Sequence, residues 1–154
     1  MSTSATGSST SAPAGTTSGT TSGTTSGTGY VMTARVTLAL ITVQFGLAGL
    51  GAFRGLGGKD AQDTWWQPHT MLGYTIGLLT VVLLVLTLVQ KLGRPVVRWT
   101  AVTAVLTLIG QPLLATLGDK ASVWFGLLHA LDGVVIAAVL GIVSAQVGRS
   151  ATHE

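Results

Sequence analysis

The chain has 154 residues, 47% hydrophobic and only 8% charged, with a formal net charge of +3 and no cysteine. Soluble domains carry about 25% charged residues, so water is a poor solvent for most of this chain. The missing cysteines exclude disulfides, thiolate zinc sites, iron–sulfur clusters and cysteine nucleophiles. The absence of any basic run with interleaved aromatics excludes a nucleic-acid footprint.

Residues 1–29 consist only of Met, Ser, Thr, Gly, Ala and Pro, and from Gly15 to Thr28 the unit Gly-Thr-Thr-Ser recurs with a period of four. Such a tract buries too little to offset its ordering entropy, so residues 1–30 are expected to be a disordered tail. It lacks the charged lead-in and early apolar core of a signal peptide. Met32-Thr33-Ala34-Arg35 would itself serve as a short start to the membrane domain.

Four apolar stretches follow, at about 36–53, 68–89, 97–117 and 123–147, each near the roughly 20 residues that cross a bilayer. In lipid each must be helical, because only internal hydrogen bonds satisfy its backbone. The short connections predict antiparallel neighbours. The expected fold is an all-α membrane protein, an up-down four-helix transmembrane bundle over 31–147. Residues 148–154 form a short C-terminal tail.

With the N-terminus inside, Arg35, Lys91, Arg94, Arg98 and Arg149 lie on the inner side and Arg54, Lys59 and Lys120 on the outer. This excess places both termini in the cytoplasm of a bacterial-type plasma membrane. Asp60, Asp63 and Asp119 then face out, and Trp65, Trp66, Trp99 and Trp124 suit the interfacial belts. Gly73-x-x-x-Gly77 has the spacing that lets helices approach closely within the bundle.

The polar residues inside the membrane carry the functional signal, since an ionisable group there is costly and normally turned to the bundle interior. At about 1.5 Å per residue, His69 lies roughly 5 Å below Trp66, His129 roughly 8 Å below Trp124, and Gln111-Pro112 near 9 Å from the outer helix end. Asp132 shares the His129 face, three positions on. Gln44 lies deeper and apart from this set. His69 after Pro68 also reads as an interfacial histidine at a helix start, and His129 as a structural hydrogen-bonding group. Gln111-Pro112 reads as a kink.

Two neutral imidazoles facing across a bundle provide the axial nitrogens of a b-type haem, with His69 and His129 as metal ligands and Gln111 and Asp132 beside the cofactor. Asp132 would orient His129. A tetrahedral zinc site would need further ligands, and His153 lies at the opposite end. The alternative is a membrane scaffold or subunit with no cofactor, in which the polar cluster serves packing. A proton-coupled carrier using Asp132 would call for broken helices or an internal repeat, and neither is read here. No nucleophile–base pair, phosphate loop or carboxylate pair of an enzyme can be assembled. Expected partners are the lipid bilayer, a membrane redox protein or a second copy of the chain.

The stretch His69-Thr70-Met71-Leu72-Gly73-Tyr74-Thr75-Ile76-Gly77 resembles the second helix of one four-helix half of the haem A synthase family. Gln44-Phe45-Gly46-Leu47-Ala48-Gly49 resembles the first helix of that half, and Gln111-Pro112-Leu113-Leu114 and His129-Ala130-Leu131 its third and fourth. The chain also resembles an uncharacterised family of small four-helix bacterial membrane proteins. The first resemblance implies haem ligation by His69 and His129. It does not extend to oxidation of a haem methyl group. Trp66 stands where that family has an acidic residue, Thr70 stands where it usually has arginine, and the cysteine pair and second half are missing.

Overall fold

The computed structural model describes residues 27–54 and 59–151, with side chains over 27–52 and 66–150. Residues 1–26 of the expected tail and His153 lie outside the described residues, as do the side chains of Arg54, Lys59, Asp60, Asp63 and Trp65. The described chain is all helical. Its elements are α1 (Thr28–Arg54), α2 (Lys59–Val89), α3 (Arg94–Val105), a one-turn π-helix (Leu106–Gly110), α4 (Gln111–Lys120) and α5 (Val123–Ala151). α3, the π-helix and α4 form one continuous rod. The four rods contain Thr28–Ala52, Trp66–Val89, Arg94–Lys120 and Val123–Ser150, each long and apolar enough to cross a membrane.

The helices extend past the apolar stretches that mark them in the sequence, because backbone hydrogen bonding continues where hydropathy fades. The largest correction is at the start. The expected boundary after residue 30 moves back to Gly27, whose positive φ of 103° suits glycine and whose carbonyl accepts from Val31 at 3.0 Å. Tyr30 is then fully buried, with its hydroxyl 2.8 Å from Thr100 Oγ1. Pro68 likewise does not open the second helix; it lies inside α2. Just past the end of α2, Lys91 takes a φ of 52° and Leu92 N–H reaches back to Thr87 O at 2.9 Å, a left-handed closure that caps the final carbonyls.

Each rod packs on two neighbours: α1 on α2 and α5, and the α3–α4 rod on α2 and α5. α2 and α5 therefore stand diagonally across the assembly. The α1–α2 contacts run from Gly29 beside Gln90 at one end to Gly51 beside the Trp66 ring at the other. The interior holds Ile41, Ile76, Leu83, Ile136, Leu140 and Val143 together with seven buried hydroxyl residues. Six of those hydroxyls are satisfied within their own helix, as where Thr37 donates to Thr33 O, Thr80 to Gly77 O and Ser144 to Gly141 O, and the seventh, on Thr100, pairs with Tyr30. The outer faces are apolar, with Leu78 65%, Val89 70% and Ile109 62% exposed. A surface this apolar around an interior this rich in threonine matches a lipid surrounding.

Candidate functional site

Two glutamine–histidine clasps form the site. Gln44 on α1 donates from Nε2 to His69 O at 2.9 Å, while His69 Nδ1 on α2 lies 3.3 Å from Gln44 O. Gln111, opening α4, donates from Nε2 to His129 O at 2.9 Å, while His129 Nδ1 on α5 lies 3.1 Å from Gln111 O. A carbonyl oxygen only accepts, so each Nδ1 must carry the proton. In a neutral ring each Nε2 is then left with its lone pair, the form in which an imidazole binds a metal.

The two rings meet across the diagonal, with centroids 6.3 Å apart and planes at 63°. Two imidazoles bound on opposite sides of one ion, with metal–nitrogen bonds of about 2.0–2.1 Å and ring centroids about 1.15 Å behind the nitrogens, would have centroids about 6.3–6.5 Å apart. Among the described residues no three His, Cys, Asp or Glu side chains come together as a metal-binding group. The described residues therefore do not build a tetrahedral all-protein zinc site. Two imidazoles alone would leave the remaining positions of such an ion to groups other than these two side chains.

Both rings line a cavity of about 540 Å³, within the range of small-molecule and cofactor sites. Its walls include Gln44, Phe45, Gly73, Tyr74, Leu108 and Gln111. Tyr74 is 68% exposed, so the cavity opens sideways between helices onto the outer surface. Trp66 closes on His69 from the side, edge to face at 5.2 Å, and itself rests on Gly51, where a Cβ would lie 3.2 Å from the indole. At the same end, a Cβ on Gly118 would come within 2.8 Å of Gly126 N, so α4 and α5 approach there as only glycine allows.

Of the residues singled out in the sequence, His69, His129 and Gln111 meet at the cavity. Asp132 stands behind it. Its carboxylate accepts from Gln111 Nε2 at 2.8 Å, and the expected bond to the His129 ring is replaced by the Gln111 carbonyl. The reason is geometric: Gln111 has both its amide hydrogens and its carbonyl within reach of α5, and it separates the two groups. His69 is half-buried in the clasp and lies within α2 rather than at a helix start. Gln44, set apart in the sequence by its depth, is a full member of the site. Its Oε1 is buried and has no hydrogen-bond partner among the described residues.

Residues 44–117 match a family of unknown function (DUF6220). The match takes in Gln44, His69 and Gln111 and stops short of His129. No curated protein and no solved structure matches the chain.

Proposed function

We propose that the protein is a multi-pass membrane protein, an up-down four-helix bundle that holds a b-type haem between His69 and His129. The observation that carries this reading is the pair of rings 6.3 Å apart, each with Nδ1 committed to a carbonyl and Nε2 free. Its resemblance to one half of the haem A synthase family, with the same two histidines as ligands, points the same way. The excess of Arg and Lys on the inner side favours cytoplasmic termini in a bacterial-type plasma membrane.

When bound, haem would supply one-electron redox chemistry, which fits an electron carrier or a haem-handling protein with a membrane redox partner. The chain's own residues do the holding. The two clasps fix the tautomer and orientation of both imidazoles before any ligand arrives. Gly73 and Gly133 keep the walls beside the glutamines thin, and the apolar lining excludes water. The cavity opens onto the lipid-facing surface, so a flat, apolar ligand enters from the bilayer rather than from water.

A second reading is favoured by one feature of the same geometry: both imidazoles already have protein partners, as a purely structural polar cluster would require. In that case the chain is a cofactor-free scaffold. Haem titration into the purified protein separates the two. Saturable binding that is lost in His69→Ala and His129→Ala supports the haem protein, and no binding leaves the scaffold.

A further inference from the structure

The two clasps belong to a repeat that runs through the chain. Gln44-x-x-Leu47-Ala48 on α1 returns as Gln111-x-x-Leu114-Ala115 on α4. His69-x-x-x-Gly73-x-x-Ile76 on α2 returns as His129-x-x-x-Gly133-x-x-Ile136 on α5. The glycines stand beside the glutamines in both copies. A Cβ at Gly73 would lie 3.3 Å from Gln44 Nε2, whereas one at Gly133 would meet the Phe45 ring first, at 3.2 Å, and lie 3.9 Å from Gln111 Nε2. The expectation of no internal repeat is thereby corrected, since the repeated unit is a few dispersed positions in sequences that otherwise differ.

Along the histidine helices the two copies stay in step. Ile76, Thr80, Leu83 and Thr87 are buried on α2, and Ile136, Leu140, Val143 and Val147 are buried at the same distances from His129 on α5. The glutamine helices do not stay in step. Buried Ala34, Thr37 and Ile41 lie ten, seven and three residues before Gln44, whereas the buried threonines Thr100, Thr103 and Thr107 lie eleven, eight and four before Gln111, with buried Ala104 next to Thr103 at seven. Thr37 and Thr103 also match in chemistry, each hydroxyl donating to the carbonyl four residues earlier. The second copy therefore has one residue more between its buried stripe and its glutamine.

The π-helix at Leu106–Gly110 occupies the place where that residue must be absorbed, and Gln111 N–H bonds Leu106 O, five residues back. A turn closed i to i+5 takes up one residue more than an α-turn, so the flanking segments keep a common phase. Carried in a regular helix of 3.6 residues per turn, the additional residue would swing Gln111 by about 100°. Its amide and carbonyl would then leave His129 and face the outer surface.

We infer that the π-helix Leu106–Gly110 is the register device that brings Gln111 into the site, and that the site is one Gln–His unit used twice. This rests on the clasp geometry and is independent of what fills the cavity. The test deletes one outward-facing residue from each copy: Ile109, 62% exposed, and Val43, 52% exposed. The full-length chain is labelled with ¹⁵N at histidine, carries His153→Ala to remove the third signal, and is read in detergent without haem. Imidazole ¹⁵N shifts report which nitrogen carries the proton.

The parent should show a protonated Nδ1 and bare Nε2 on both histidines. Deleting Ile109 gives Thr107 and Gln111 the spacing of Ile41 and Gln44, so the His129 signature should persist in a folded chain. Deleting Val43 leaves no bulge to absorb the change, so the His69 signature or the fold should be lost. Loss of the His129 signature, or of folding, on deletion of Ile109 would overturn the inference. Persistence of the His69 signature on deletion of Val43 would overturn it equally. Because no haem is added, failure of the haem reading leaves either result standing.

Discussion

Gln44 and His69 hold each other twice, side-chain amide to backbone carbonyl at 2.9 Å and imidazole to backbone carbonyl at 3.3 Å. Neither residue is fixed by its own helix alone. Each depends on its partner's main chain, so the imidazole is aimed by the packing of α1 on α2. The same holds for Gln111 and His129 across α4 and α5. Preorganising a ligand in this way limits the ordering cost that binding would otherwise incur.

The two glutamines should not be equally replaceable. Gln44→Leu removes one donor to a carbonyl, whereas Gln111→Leu also strips Asp132 of its amide partner inside the bundle. A polar group buried without a partner costs roughly 1–3 kcal/mol. Thermal unfolding in detergent should find Gln111→Leu the less stable of the two. Adding Asp132→Leu to Gln111→Leu should recover part of the loss; no recovery would mean that the carboxylate has other support.

Gly118 and Gly126 make a paired test of helix approach. Gly118→Ala puts a methyl group 2.8 Å from Gly126 N, backbone that cannot yield without moving α4 from α5, while a Cβ on Gly126 meets nothing within 4 Å. Overpacking of this kind costs roughly 1–3 kcal/mol. Gly118→Ala should lower the melting temperature clearly and Gly126→Ala should leave it nearly unchanged. Equal effects would contradict the close approach.

Tyr30→Phe should cost roughly 0.6 to 1.7 kcal/mol, the range for hydrogen bonds between membrane helices, by removing the contact with Thr100. It lies at the far end of the bundle from the histidines, so ligand binding should be unchanged. A chain begun at Met32 should lose at least as much stability as Tyr30→Phe. If it melts like the full chain, Tyr30 contributes nothing.

The four helices were legible because hydropathy alone records them, and counting residues at a fixed rise brought His69, His129 and Gln111 to one level, which agrees with their lining one cavity. Hydropathy could not give the helix ends, since Tyr30 looks like the edge of a low-complexity tail until Thr100 is seen opposite it. Counting residues also set Gln44 apart, because the helices carrying His69 and Gln111 were drawn too short: α2 begins at Lys59 and α4 runs to Lys120, while α1 ends at Arg54. The signal that would have found it was the repeated Gln-x-x-Leu-Ala. The additional residue before Gln111 hid that signal by breaking the register of the two copies. Asp132 was given to His129 by its spacing on one helix, and a partner from another helix took it instead.

The most direct test is the absorption spectrum of the detergent-purified full chain, oxidised and reduced, with haem added, beside His69→Ala and His129→Ala. The two-histidine site predicts a Soret band with a sharp reduced α-band in the parent. Each single variant should lose the sharp α-band and bind haem at least about tenfold more weakly, since even outer-shell changes at metal sites cost 10–100-fold. A parent that stays colourless with haem added, or an α-band that survives in either variant, would contradict ligation by this pair.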